Sequence, residues 1–344
     1  MPTYALLPRA SANRVYAETA LQLVAAELRF LGERLLDGLV VDVTESRLGG
    51  VDYLLVDCGA RSLDPFAVAV LSNLSSLHAL FERRGDALVP VDITPRALVD
   101  DDITTIQRYS GKTNEQFTHL LVNVTLAAAS GGFARLLDDA PVRLLDPLCG
   151  RGTSLNQAVV YGLDAYGVEI DKAAFEAYTQ FIGTWLKDKG LKHHIERAHL
   201  KRGREAPARR VSITYGRKGS ETRHVLDVVQ DDTVNAADHV KRRSIDLVVA
   251  DLPYGVQHAN RAGPGRASRS PDELLQAALP VWVELLRPGG AIGLSWNLRT
   301  LDRKRLHELM AGSGLVPAST ADDRSFVHRV DRSITRDLLV ATVP

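Results

Sequence analysis

From residue 106 onward, β-type runs alternate with amphipathic helical runs, and this alternation constrains the fold more than any other feature of the chain. The β-type runs fall at 142–145, 165–169, about 223–229, 245–250, 291–296 and 338–343. Helical runs follow several of them, at 153–161, 172–187, 271–286 and 302–311. Such alternation predicts parallel strands joined by crossover helices, hence a doubly wound α/β sheet. In an open sheet of that kind ligands bind beyond the carboxyl ends of the strands. The residues that close each strand are therefore the first candidates for function.

Residues 1–105 read as a smaller α+β unit ahead of the larger domain at 106–344. A short strand at 4–7 precedes a helix whose apolar positions are Leu21, Val24, Ala25, Leu28 and Leu31, with Gly32 as its stop. Strands at 39–44 and 53–56 flank the turn Leu48-Gly49-Gly50. Asp64-Pro65 opens a second helix as N-cap and first-turn proline, and a strand near 77–82 follows. The order β-α-β-β-α-β suggests a ferredoxin-like unit. Within the larger domain, residues near 200–225 add a β-hairpin with a basic, glycine-containing turn, Gly216-Arg-Lys-Gly-Ser220.

At 344 residues the chain has room for two such domains. Lys+Arg and Asp+Glu stand at 42 each, so no global positive field marks it as a nucleic-acid binder. The basic runs at Lys201-Arg202-Gly203-Arg204, Arg209-Arg210, Arg217-Lys218 and Lys241-Arg242-Arg243 each read as a solvated face. Cys58 and Cys149 are the only cysteines, too few for a disulfide framework and without the CxxC spacing of a zinc site. His193-His194 and His258 have no partners at ligand spacing and read as surface residues, so no metal is expected. The chain lacks a long uncharged apolar stretch and a signal-peptide pattern, which predicts a cytoplasmic protein.

Four strand ends carry chemistry-bearing residues. The first is Leu144-Leu-Asp146-Pro147-Leu-Cys149-Gly150-Arg-Gly152-Thr153-Ser154, a strand that runs through a glycine turn into a helix. Glycines there let the backbone approach a ligand closely. The spacing is neither the dinucleotide GxGxxG nor a P-loop; Gly111-Lys112-Thr113 has Ile106 where a P-loop's leading glycine belongs. The leading Asp146 suits a ligand with a cationic amino group. The second end is Gly167-Val-Glu169-Ile170-Asp171, where Glu169 is placed for ribose hydroxyls and Asp171 reads as a helix N-cap. The third is Gln230-Asp231-Asp232-Thr233, either an acceptor for an adenine amino group or a helix cap. The fourth is Asp251-Leu252-Pro253-Tyr254-Gly255, which sets a carboxylate, a stiffened turn and an aromatic ring together. An acceptor beside a π-face can hold a planar amino-bearing group. The loop beyond it carries Arg261, Arg266 and Arg269 and reads as a phosphate grip or an active-site lid. Trp296 reads as core, with Asn297 as a pocket candidate.

In this order the four ends resemble a class I S-adenosylmethionine-dependent N-methyltransferase, whose fourth motif is Asp/Asn-Pro-Pro-Tyr/Phe. More narrowly, Asp146-Pro-Leu-Cys-Gly-Arg-Gly-Thr153 resembles the DPxCGxGT signature of the RNA guanine-N2 methyltransferases. That group includes the tRNA guanosine-10 enzymes and their THUMP-associated relatives. Tyr109-Ser-Gly-Lys-Thr-Asn-Glu115 resembles the segment ahead of their first motif. The likeness covers 106–344 well and 1–105 only loosely. It implies a Rossmann-like, seven-stranded, mostly parallel sheet and S-adenosylmethionine as cofactor. It implies a cofactor site of Asp146, Pro147, Cys149, Gly150, Gly152, Thr153, Glu169, Ile170, Asp231 and Asp232, with Lys112, Thr113 and Asn114 closing over it. Asp251 and the Leu252 carbonyl would accept the two hydrogens of a target amino group, in a turn stiffened by Pro253, while Tyr254 stacks on the base.

These residue types answer a chemical need. An exocyclic amino group on a base is conjugated into the ring and is a poor nucleophile. Accepting its hydrogens moves density onto nitrogen and stabilises the positive charge that builds there. An aromatic ring can stack on an extruded base. The implied substrate is RNA, with tRNA foremost. The other readings are DNA adenine-N6 or cytosine-N4, a protein glutamine amide, a small amine, and a non-catalytic RNA-binding module. The sequence departs from the motif at Leu252, usually proline, which predicts a less rigid turn.

Overall fold

The computed structural model describes residues 2–11, 14–202, 205–253, 270–318 and 324–344. Tyr254, Gly255, His258, Arg261, Arg266 and Arg269 lie outside the described residues.

The N-terminal unit runs β1 (Thr3–Pro8), α1 (Arg14–Leu35), β2 (Asp42–Leu48), β3 (Val51–Asp57), α2 (Pro65–Leu71), β4 (Leu77–Arg84) and β5 (Ala87–Val91). Its sheet is ordered β2-β3-β1-β4-β5, antiparallel throughout. The first four strands reproduce the expected ferredoxin-like arrangement, and β5 extends its edge. The β2–β3 turn uses Gly49 and Gly50 at φ of 58° and 84°, the left-handed pair that a tight hairpin demands. Asp64 caps α2 by accepting from the Ala67 N–H at 2.7 Å. Gly32 does not end the first helix as expected. α1 continues to Leu35, and a Cβ added at Gly32 would lie 2.7 Å from the Val40 Cβ. This glycine is a point of close packing between the helix and the chain that follows it.

The larger domain continues with α3 (Glu115–Ala128), α4 (Gly132–Leu137), β6 (Arg143–Asp146), α5 (Thr153–Tyr161), β7 (Asp164–Glu169) and α6 (Lys172–Asp188). Next come β8 (Lys192–Arg202), β9 (Glu205–Gly216), β10 (His224–Gln230), β11 (Ile245–Asp251), α7 (Pro271–Leu285) and β12 (Leu286–Asn297). It ends with α8 (Arg303–Gly312), β13 (Val316–Pro317), β14 (His328–Arg329) and β15 (Thr335–Thr342). The strands form one sheet of order β13-β15-β12-β11-β6-β7-β10-β9-β8, with β14 attached to β15. β12, β11, β6, β7 and β10 are parallel, and β15 is antiparallel to β12.

The expected sheet had seven strands; the described residues form ten. The stretch from β13 to β10 is the doubly wound core. β9 and β8 widen it beyond β10, so the expected hairpin of β9 and β10 gains a third strand. β8 lacked a sequence signal because charged residues and histidines dominate it, leaving only Ile195, Ala198 and Leu200 apolar and no apolar alternation. β11 lies at the centre and is buried from Ile245 to Ala250, emerging only at Asp251. Among the described residues no helix is long and apolar enough to cross a membrane.

The two units share an interior. α1 packs on α3, and apolar residues of both belong to one continuous cluster. At their junction Glu27 is fully buried. Its carboxyl accepts from the Ser75 N–H at 3.1 Å, the Ser75 hydroxyl at 2.5 Å and the Asn123 side-chain amide at 2.7 Å. The Tyr161 hydroxyl donates to Asn123 Oδ1 at 2.6 Å and meets the ring of His119, which burial holds neutral with a pKa near 3.

Candidate active site

β6 and β11 are neighbours in the sheet, yet the chain leaves β6 toward β7 and leaves β11 toward β12. In sheets of this kind ligands bind where the winding reverses, at the carboxyl ends of these two strands. Asp146 closes β6, Glu169 closes β7 and Asp251 closes β11. These acids of the first, second and fourth motifs are therefore delivered to the same edge by the sheet itself.

The glycine turn is built around Glu169. Gly150 donates its N–H to Glu169 Oε2 at 2.7 Å, and the Asp171 N–H donates to Oε1 at 2.6 Å. Burial raises the Glu169 pKa against these donors. Asp171 caps α6 through the Ala174 N–H at 2.6 Å, as expected. Gly152 has φ of 80°, and a Cβ there would lie 2.1 Å from the ring of Tyr178. Gly150 has φ of 52°, but a Cβ there would meet nothing within 4 Å. The first glycine thus faces open space, whereas the second is pressed against the protein. Cys149 and Pro147 are buried beneath the turn; burial, with Asp146 and Glu169 nearby, pushes the Cys149 thiol well up. Ile170 follows Glu169 at the carboxyl end of β7 and stands 46% exposed.

Asp146 is 4% exposed and accepts from the Leu148 N–H at 3.0 Å. Burial first, and the charges of Glu169 and Asp251 beside it, raise its pKa to about 7. A cation entering here meets carboxylates whose mutual repulsion it relieves. Glu27 reaches about 7 through burial as well. Both carboxyls hold their proton more tightly in the folded chain than near pH 4, where ordinary carboxyls titrate. Folding therefore favours the protonated form, and this contribution to stability is lost as pH rises through about 7. We expect the thermal midpoint to fall between about pH 4.5 and pH 7.5, and Glu27→Gln and Asp146→Asn each to flatten that slope in a melting series followed by circular dichroism.

The segment ahead of α3 docks onto both motifs. The Tyr109 hydroxyl meets Thr153 Oγ1 at 3.0 Å, and the Arg151 guanidinium lies over the Tyr109 ring at 4.9 Å. The Thr113 hydroxyl donates to Asp251 Oδ2. Its neighbours have local partners: Lys112 donates to the Thr104 carbonyl at 2.6 Å, and Asn114 caps α3 through the Phe117 N–H at 3.0 Å. Asp231 is joined to the site by its backbone, whose N–H donates to the Glu169 carbonyl at 3.0 Å. Its carboxylate meets the Asn235 amide at 3.1 Å and the His239 ring at 2.6 Å, and Asp232 caps the short turn that follows.

At the fourth motif, Asp251 Oδ1 accepts from the Ser295 hydroxyl at 2.8 Å, and Arg336 Nη2 stands 3.5 Å from Oδ2. Ser295 and Arg336 were not singled out in the sequence. The sheet accounts for Arg336, since β15 runs against the parallel strands and its first residues arrive at their carboxyl ends. Leu252 corrects the expectation of a looser turn. Its N–H donates to the Ser295 carbonyl at 2.8 Å, a bond proline cannot make, and its side chain is 1% exposed within the core. Pro253 is half-buried. Trp296 is fully buried and donates to the Leu301 carbonyl, as a core residue should. Asn297 is spent on the Thr335 and Arg299 N–H groups and the Ser333 carbonyl. Among the described residues no group of acids, cysteines and histidines could hold a metal ion.

Four side chains of the basic runs are engaged within the fold. Arg210 pairs with Asp227 at 2.8 Å, Arg209 with Glu176 at 2.6 Å and Arg242 with Glu284 at 2.6 Å. Arg217 ties the hairpin to the Ala97 and Leu98 carbonyls.

No curated protein matches the chain. Among solved structures it is similar to a TehB-like SAM-dependent methyltransferase from Corynebacterium glutamicum, at 16% identity over 61% of this chain and 86% of that one, with a TM-score of 0.34. It is similar to TrmN from Thermus thermophilus at 13% identity over 88% of this chain and 59% of that one, with a TM-score of 0.40. A S-adenosylmethionine-dependent methyltransferase from Clostridium acetobutylicum aligns at 9% identity over 59% of this chain and 84% of that one, with a TM-score of 0.35. A family model described as the RMKL-like methyltransferase domain matches residues 116–294, from within α3 to within β12 and so across the four motif strand ends. That match takes in more than half of the chain, which therefore belongs to the RMKL-like methyltransferase domain family.

Proposed function

We propose that the chain is an S-adenosylmethionine-dependent N-methyltransferase acting on an exocyclic amino group of an RNA base, foremost guanine N2 in tRNA, in the cytoplasm. The observation that carries this reading is the position of Asp251. Its carboxylate closes the central strand beside the glycine turn, with the Leu252 peptide held next to it. The chemistry of the donor set suits the cofactor. Asp146, Glu169 and Asp251 crowd negative charge where a ligand with two cationic centres, a sulfonium and an ammonium, is wanted; Gly150 leaves open space, and Ile170 offers a face for an adenine ring. Asp146, Gly150, Glu169 and Ile170 would hold it, and the Asp231 segment would border the base.

When bound, S-adenosylmethionine supplies an electrophilic methyl group on a sulfonium. The chain's own task is to present the nucleophile. Asp251 and the Leu252 carbonyl accept the two hydrogens of the amino group, which localises density on nitrogen and stabilises the charge developing there. Tyr254, the next residue but one, stacks on the extruded base. Residues 1–105 position substrate for the catalytic domain at 106–344.

A radiolabelled methyl-transfer screen over total tRNA, ribosomal RNA, DNA and protein fractions tests this reading, with nucleoside mass spectrometry to follow. N2-methylguanosine in the tRNA fraction is the expected product. Label confined to DNA or protein would overturn the RNA assignment.

A further inference from the structure

Two side chains outside the motifs converge on Asp251. Ser295 lies directly across from it, the two being Cα partners in the β11–β12 ladder, and is fully buried. Its hydroxyl donates to Asp251 Oδ1 at 2.8 Å, and its carbonyl accepts the Leu252 N–H at 2.8 Å. One residue thus fixes both the carboxylate and the peptide that carries the next acceptor.

Arg336 approaches from β15. It is 3% exposed, stands 3.5 Å from Asp251 Oδ2, and lays its guanidinium 4.7 Å from the ring centre of Phe117. Phe117 belongs to the first turn of α3, and its N–H is bonded to the cap residue Asn114. A guanidinium buried to this degree is costly without an anionic partner, and here one partner is the motif acid itself. Its stacking on a helix in turn makes the pair geometrically fixed. Thr113, from the loop just ahead of that helix, bonds the same oxygen. The carboxylate is therefore tied to three separate parts of the chain: β12, β15 and the loop before α3.

We propose that Ser295 and Arg336 are positioning residues for methyl transfer. Ser295 aims the Asp251 carboxylate and the Leu252 peptide as one unit, and Arg336 holds the carboxylate in a single orientation against α3. This rests on the methyl-transfer reading of the same site. Acceptors already in place need no reorganisation as charge develops, and misplacement by about 1 Å can cost about a hundredfold in rate.

The test uses the full chain, radiolabelled S-adenosylmethionine and total RNA from cells lacking the chain. Turnover is expressed per cofactor-binding site titrated by calorimetry, so that any unfolded fraction drops out. Ser295→Ala is expected to lower kcat by about tenfold to a hundredfold while the cofactor Kd and the RNA KM stay within about threefold. Arg336→Gln is expected to do the same, and Arg336→Lys to recover part of the loss. Unchanged kcat per site in both Ser295→Ala and Arg336→Gln would overturn the positioning roles, as would a loss confined to KM. Wild-type protein that binds the cofactor but labels no substrate would instead overturn the methyl-transfer reading, and this proposal with it.

Discussion

Replacing Asp251 by alanine is expected to lower methyl transfer by about a hundredfold or more, the usual cost of removing one preorganised group that meets developing charge. The change removes the acceptor and nothing of the glycine turn, so the cofactor Kd measured by calorimetry should stay close to that of the unaltered chain. A second effect accompanies it. Arg336, itself buried, loses one anionic partner, and a buried cation stripped of part of its compensation destabilises the fold. The thermal midpoint should therefore drop together with turnover. Asp251→Asn separates the two effects. It keeps an oxygen for Ser295 and an acceptor for the amino group, so turnover should exceed that of the alanine variant. Loss of cofactor affinity in step with turnover would make Asp251 a structural residue.

The glycine turn gives the other large effect. Gly152 combines a left-handed backbone with contact against Tyr178, a fully buried ring. Gly152→Ala incurs about 1–2 kcal/mol from the backbone and about 1–3 kcal/mol from overpacking. Its expected result is a markedly less stable protein. Gly150→Ala shares only the backbone cost, since a methyl group there enters open space. That variant should lose only the backbone share of stability and yet bind the cofactor poorly, because the methyl occupies room meant for ligand. Melting curves paired with calorimetry distinguish the two. Equal stability losses, or full cofactor affinity in Gly150→Ala, would contradict this division of labour between neighbouring glycines.

What was legible in the sequence follows from where chemistry is local. The runs at β6, β7, β11 and β12 are apolar because both faces of the central sheet are covered, so the alternation of strands and helices stood out. The Asp64 and Asp171 caps were readable because a cap involves residues only three positions apart. β8 was hidden by its exposed charges, and β13 and β14 by having two residues each. At the site, each motif acid was visible at its own strand end, but the bonds that join the ends were not. Thr113 and Asp251 lie 138 residues apart, and Arg336 and Asp251 85 apart. Ser295 in Gly293-Leu-Ser-Trp296 looks like any small residue in a buried strand. Only the ladder register with β11 gives its hydroxyl a purpose. Gly32 misled for a related reason, since a glycine that ends a helix and one that admits a neighbouring chain look the same in one dimension.

The carboxyl of Glu27 has a consequence for how such proteins can be recombined. It is sealed among Ser75, from the N-terminal unit, and Asn123, from the helix that leads into the catalytic sheet. Neither half can be replaced without orphaning hydrogen-bonding groups on the other. Grafting a foreign N-terminal module onto this catalytic sheet would require transplanting the acid and its recipients as a matched set. The seam is therefore a joint with a key, and any lineage that exchanged the module would have had to carry the key along with it.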